Sequence, residues 1–446
     1  MKRYSSYTDS GVKWIGEIPD NWEVTKIKFV SRIYGRIGFR GYTVDDIVDK
    51  NEGAISLSPS NIVDQKITFK DSTFISFDKY FESPEIMIQN DDIVFVKTAS
   101  VGKCAYVTNL PCESTLNPQL IVFKNCKIFN KFFYYSLISP LIQNQVFSDL
   151  TGGVVGTISQ AKINNYFMVK PSELDEQIQI ANYLDQKTTK IDELVTKKEQ
   201  LIQLLEEEGT AIINETITKG LNPDVPMKDS GIDWLGSIPK HWGIKRLRYV
   251  GNCQNGISEG ADFFGEGHPF VSYSDVFYNR TLPFKVEGLA KSEDKHWNNY
   301  SVIEGDVFFT RTSETIEEIG IASVCQKSID KGTFAGFLIR FRPYPNTLIT
   351  EFSKYYFRCF IPRIFFVKEM NLVTRASLSQ ELLKRLPILL PSLKEQVLIA
   401  EYLDEKVGQI ENVISKTKAE ILHLKEYKTT LISEVVTGKI DIREEN

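Results

Sequence analysis

Pro19-Asp20 followed by Glu23-Val24-Thr25-Lys26 sets two carboxylates close to a lysine, a set that a nuclease could use. The chain tests this reading itself. A second copy of the surrounding phrase reads Pro239-Lys240-His241-Trp242-Gly243-Ile244-Lys245, and both acids are gone. If the phrase does one job in both places, that job is not acid chemistry. Trp14, Trp22, Trp234 and Trp242, spaced by Gly and Pro, instead suit packing, since a buried indole needs one partner for its N–H. Other catalytic patterns are missing. The run 151–159, TGGVVGTIS, has the glycines of a phosphate loop but no lysine, and no H-E-x-x-H or G-x-S-x-G element occurs. The Gly-rich stretch 34–41, YGRIGFRG, does not clearly follow a strand and open a helix, as a nucleotide loop must. Six scattered cysteines form no C-x-x-C pair, and four histidines share no metal-ligand spacing, so reduced thiols and no metal site are expected.

What must position any functional residue is a duplicated scaffold. Residues 8–30, TDSGVKWIGEIPDNWEVTKIKFV, match 228–250, KDSGIDWLGSIPKHWGIKRLRYV, without a gap. Residues 176–192, EQIQIANYLDQKTTKID, match 395–411, EQVLIAEYLDEKVGQIE. Between these anchors the halves diverge, as 56–65 (SLSPSNIVDQ) and 270–279 (FVSYSDVFYN) show. The net charge of -5 is unevenly spread. It is +2 over 1–170 and +3 over 228–390, but -7 over 171–227 and -3 over 391–446.

The two acidic blocks carry a 3.5-residue apolar period, which lays one stripe along a partner helix. With Leu184 as an a position, the seam comprises Ile180, Leu184, Ile191, Leu194, Leu201, Leu205 and Ile212. Its repeat comprises Ile399, Leu403, Ile410, Val413, Leu424, Tyr427 and Leu431. Ser172 and Ser392, each after a proline, are expected to cap helices of about 65 Å. The expected class is α+β: a tandem pseudo-two-fold repeat of two globular domains, at 1–170 and 223–390. Helical arms at 171–222 and 391–446 are expected to form an antiparallel coiled coil. No stretch has the length and apolarity of a membrane span or signal peptide, so a cytoplasmic protein is expected.

Two variable blocks, each introduced by DSG-x-x-W-[IL]-G-x-IP-x-x-W and followed by P-S, then after three residues in the first copy and two in the second E-Q-x-x-I-A-x-YLD, resemble the specificity subunit of type I restriction–modification enzymes. The resemblance covers nearly the whole chain. It implies that each globular domain is a target recognition domain reading one half of a bipartite double-stranded DNA site. It implies that the helices space the domains and dock two methyltransferase subunits, with restriction/translocase subunits in the full complex. Catalysis, and with it S-adenosylmethionine, ATP and Mg, would belong to those partners, leaving this chain without a cofactor. Candidate DNA contacts are cationic, hydroxyl and amide side chains on presumed loops. They are Arg36, Arg40, Ser58, Ser60, Asn61, Lys97, Thr98, Lys103, Asn117, Gln119, Thr151 and Gly152 in the first half. In the second they are Ser272, Ser274, Arg311, Thr312 and Arg375. Two rivals remain at this point. A fused restriction–methylation enzyme would need [DN]-P-P-[YF], of which Asn117-Pro118-Gln119-Leu120 is a near miss. A coiled-coil adaptor would bind proteins through both globular blocks.

Overall fold

The computed structural model describes residues 2–150, 156–313, 315, 318–369 and 376–443. The chain divides into two compact units, residues 1–198 with 418–446, and residues 199–417. Both long helices, Leu174–Lys219 and Leu393–Val436, are therefore shared, and each unit contains half of each.

The first unit is built on a four-stranded antiparallel sheet in the order Cys104–Tyr106, Ile93–Val96, Leu120–Lys124, Arg32–Tyr34. The Ile93–Val96 run is apolar at every position because both its faces are covered. Val94, Val96, Leu120 and Val122 pack with Ile55, Leu57 and Leu116 of a second sheet, in which Ser114–Leu116 runs parallel to Ala54–Leu57. On the other face Phe95 meets Phe123, which in turn meets Phe133 of the helix Asn130–Ile138, with Phe123 and Phe133 ring centroids 5.1 Å apart. The second unit repeats the plan with Gly251–Asn255, Leu338–Pro343, Val307–Thr310 and Ala322–Val324. Its parallel pair is Phe264–Val271 with Thr333–Phe334.

The duplicated phrases form a socket that joins each sheet assembly to the helices. Trp22 Nε1 donates to Glu176 Oε1 at 3.1 Å, and Trp242 Nε1 donates to Glu395 Oε1 at 3.0 Å. The neighbouring glutamine ties backbone to backbone. Gln177 accepts the Phe129 N–H and donates to the Pro171 carbonyl, as Gln396 does with Ile349 and Pro391. About two turns further along each helix, Tyr135 and Tyr355 donate to Asp185 and Asp404, both at 2.6 Å. The repeated Glu-Gln and Leu-Asp letters are thus attachment points. Each helix ends on a glycine at positive φ, Gly220 at 74° and Gly438 at 70°. A Cβ on Gly438 would lie 2.5 Å from Pro19 and 3.3 Å from Trp22, so the chain passes the socket only without a side chain there. Trp14 departs from the packing expectation, because it is 53% exposed and touches Phe167 only edge-on. Ser392 caps its helix by accepting the Glu395 N–H, whereas Ser172 donates to the Asn21 carbonyl instead.

The helices pair antiparallel. In the first unit Lys198 reaches Glu420 at 2.6 Å, and Asp192, earlier in its helix, meets Lys428, later in the other, at 2.7 Å. In the second unit Gly209 faces Ile410, and a Cβ there would meet the Ile410 side chain at 3.8 Å, an ordinary packing distance. The seam register differs from the sequence expectation by one residue at alternate positions. Leu184 is a d position, so the first helix presents Thr188, Ile191, Val195, Lys198, Ile202, Leu205 and Gly209, and Leu194 and Leu201 fall outside the seam. The second helix slips identically: Val407, Ile414 and Ile421 turn inward and Val413 outward. Apolar doublets such as Leu194-Val195 and Val413-Ile414 satisfy both phases, and the Tyr135–Asp185 and Tyr355–Asp404 bonds fix the rotation that decides between them. Leu194 is 43% exposed and Val195 8%. Accordingly Val195→Asp is expected to cost about 3 kcal/mol by burying an unpaired carboxylate, and Leu194→Asp no more than about 0.5 kcal/mol. Urea unfolding of the two variants checks this, and equal losses would refute the register.

Candidate nucleic-acid interface

Three segments far apart in the first half are stitched together beyond the end of strand Ile93–Val96. The Lys97 N–H donates to the Gln119 carbonyl at 2.9 Å, and the Lys97 carbonyl accepts the Ile158 N–H at 2.9 Å. Thr98 bridges Thr157, and the Ala99 N–H reaches the Gly156 carbonyl at 3.0 Å. The hairpin returns to Cys104–Tyr106 through Gly102, whose carbonyl accepts from Gln143, and Lys103 stands exposed. Lys97, Thr98, Lys103 and Gln119 are therefore neighbours.

The second half builds the same junction. The Arg311 N–H donates to the Phe337 carbonyl at 2.9 Å, and the Arg311 carbonyl accepts the Leu378 N–H at 2.7 Å. Thr312 pairs with Ser377. Arg311 thus stands where Lys97 stands, and Phe337 where Gln119 stands. Phe337 escaped the sequence reading, which looked only for polar side chains. Aligning Asn117-Pro118-Gln119-Leu120 with Ala335-Gly336-Phe337-Leu338 on their shared leucine would have found it.

Other candidates are placed differently. Arg36 is buried: it donates to the Leu116 and Arg40 carbonyls and to Thr115 Oγ1, and burial lowers its pKa from the usual arginine range. It braces the sheet and does not reach outward, contrary to the sequence expectation. Arg40 is half-exposed but leans on the Glu82 carbonyl and lies 3.7 Å from Glu85. Asn61 is buried, accepts the Ser58 N–H, and donates to the Thr68 carbonyl and Ser72. Ser58 and Ser60 bond to each other at 2.7 Å, and Ser272 and Ser274 repeat the contact at 2.9 Å beside Asp275. These are caps of short helical turns, a role that outcompetes reaching for a ligand. Asn117 is also largely buried, with its amide donating to Gln119 Oε1. Thr151, Gly152 and Arg375 lie outside the described residues.

Cations, hydroxyls and an amide on a clamped edge are suited to phosphate contact and base-edge reading. Reactive nucleophiles are not in evidence at the cysteines. All six are free, and burial pushes Cys126, Cys253, Cys325 and Cys359 up to about 12, which keeps them as thiols near neutral pH. Among the described residues no group of three His, Cys, Asp or Glu side chains is placed to hold a metal ion. Among them, too, no helix is long and apolar enough to cross a membrane.

Comparison with known proteins decides the family. The model of the type I restriction modification DNA specificity domain matches residues 19–204 and again 239–423. The chain belongs to this family. Two copies of the specificity domain account for the duplication, and each copy runs from the socket strand into a long helix. Curated relatives include the type I restriction enzyme EcoKI specificity subunit of Escherichia coli K12, 23% identical over 95% of this chain and 90% of that protein. The MjaVIII specificity subunit of Methanocaldococcus jannaschii is 20% identical over 96% of this chain and 95% of that protein. Among solved structures, a chain of a type I R-M system superposes with a TM-score of 0.72 at 17% identity, covering 95% of this chain and 99% of its own. The HsdS subunit of Thermoanaerobacter tengcongensis gives 0.53 at 16% identity, over 95% and 98%. These structures share the α+β repeat with paired long helices.

Proposed function

We propose that this chain is the sequence-reading subunit of a type I restriction–modification complex, non-catalytic in itself, with each specificity domain reading one half of a bipartite double-stranded DNA site. One observation carries the reading: the same backbone junction occurs twice and presents Lys97 with Gln119 in one copy and Arg311 with Phe337 in the other. A conserved scaffold with exchanged side chains is what two different half-sites require. The long helices serve as spacer and as the docking surface for two methyltransferase subunits, since acidic helices favour protein over phosphate. Restriction/translocase subunits join the full complex. S-adenosylmethionine, ATP and Mg are bound by those partners, and the assembly works in the cytoplasm. A fixed spacing makes DNA with the wrong gap unable to engage both domains together.

The test is co-expression with the methyltransferase subunit in a methylation-free host, followed by single-molecule mapping of modified adenines. A bipartite motif with one modified adenine in each half is expected. An assembled complex that leaves the DNA unmodified would overturn the reading. The small positive charge of each globular block, +2 and +3, further predicts that the chain alone binds DNA weakly, because phosphate neutralisation supplies much of the affinity. A gel shift at physiological salt is expected to show no tight specific complex until the methyltransferase is added. Nanomolar, sequence-specific binding by the isolated chain would contradict it.

A further inference from the structure

Phe337 is an exposed aromatic on a backbone that has no freedom to hide it. The residue is 64% exposed, yet the turn beneath is held by backbone hydrogen bonds. The Ala335 N–H donates to Val271, the Gly336 N–H to Ile257 at 2.7 Å, the Leu338 N–H to Ala335, and Phe337 itself accepts from Arg311. Gly336 is pressed against its neighbour so closely that a Cβ would lie 2.1 Å from Ser258 Oγ. A side chain held out to solvent by a rigid turn is pre-organised for a contact rather than idle.

The first half contains the same turn with different contents. There the Asn117 N–H donates to Leu57 at 2.8 Å and the Leu120 N–H to Asn117 at 3.2 Å, as Ala335 does to Val271 and Leu338 to Ala335. Lys97 donates to Gln119 as Arg311 does to Phe337. Each turn therefore offers one cation on the strand and one variable side chain on the turn.

We propose that these turn positions, Gln119 and Phe337, are specificity-determining residues at equivalent places in the two half-sites. Gln119 pairs its amide with an adenine edge, while Phe337 makes apolar contact with a thymine methyl. The chemistry follows from the side chains: an amide matches the donor and acceptor of adenine N6 and N7, whereas a phenyl ring can recognise only the C5-methyl group in the major groove. The adjoining Lys97 and Arg311 hold the register by contacting phosphate or guanine. The inference rests on the proposed function and adds to it which base pair each turn reads.

The experiment uses the full complex with its methyltransferase subunits and reads the methylated motif genome-wide. Phe337→Ala is expected to relax one base pair of one half-site, with discrimination there falling roughly ten-fold or more, while the other half is unchanged. Phe337→Leu, which keeps an apolar contact, is expected to retain the motif, and Phe337→Gln to favour an adenine at the same place. Gln119→Phe is expected to alter one base pair in the other half. Assembly is followed by size-exclusion chromatography. Should the alanine variant fail to assemble, the Leu and Gln variants decide. A wild-type bipartite motif that Phe337→Ala and Phe337→Gln both leave intact would overturn the inference alone. A wild-type complex that marks no bipartite motif would overturn the proposed function and the inference with it.

Discussion

Glu176→Ala is expected to destabilise the first unit by about 3 kcal/mol, because it removes the acceptor shared by three donors. Tyr4 Oη lies 2.8 Å and Trp22 Nε1 3.1 Å from Oε1, and Asn21 Nδ2 lies 2.8 Å from Oε2. Tyr4 and Trp22 are buried, so their donors have no water to turn to once the carboxylate is gone. Asn21 is exposed and loses little. The pair at Tyr4 reinforces the point: burial first, then the bond to Glu176, holds the phenol far above the usual tyrosine range, so it remains a donor. Glu395 provides the internal control. It receives Trp242 and an exposed His241 at 3.0 Å each, without a counterpart of Tyr4. Glu395→Ala is therefore expected to cost less, about 1–2 kcal/mol. Glu176→Gln, which keeps an acceptor for the indole, should fall between wild type and Glu176→Ala. Chemical denaturation of the three variants measures this, and a Glu176→Ala protein as stable as wild type would refute the socket.

Exchanging residues 31–156 for the equivalent segment of a relative is expected to change one half of the methylated motif completely and leave the other half intact. The boundaries respect the packing. Ser31 follows the short helix Ile27–Val30, and Gly156 precedes the Thr157–Ile158 segment that closes on Thr98 and Lys97. The exchange leaves the Trp22–Glu176 socket and both long helices native. The junction between the exchanged hairpin and the native 157–158 segment is made mainly of backbone hydrogen bonds, which do not depend on side-chain identity, with one side-chain bond from Thr157 to Thr98. Adenine mapping in the methylation-free host is the readout. A changed base in both halves would sink the one-domain, one-half-site assignment.

Much of this architecture was legible in the residues. Two ungapped phrases and two Glu-Gln-containing helices announced a duplication, and divergence between them marked where the contents vary. The failures share one cause. Leu194 and Val195 are both apolar, so local periodicity fits either phase. The Tyr135–Asp185 bond, between residues 50 apart in sequence, sets the helix rotation. Arg36 reads as a free cation in a glycine-rich stretch, but three acceptors at Arg40, Thr115 and Leu116 converge on its guanidinium only after the sheets form. Ser58 and Asn61 have the composition of a ligand-binding loop, and satisfy each other instead.

By itself, then, the sequence determined the repeat, the pairing of long helices, and the pattern of constant ends with exchanged middles. Each is written in local spacing or in direct comparison of one half with the other. Only the tertiary structure decided which polar side chains are spent on capping and bracing, and that Lys97 meets Gln119 where Arg311 meets Phe337. Those outcomes depend on hydrogen bonds closing between segments distant in the chain, and no short-range pattern records where such segments will meet.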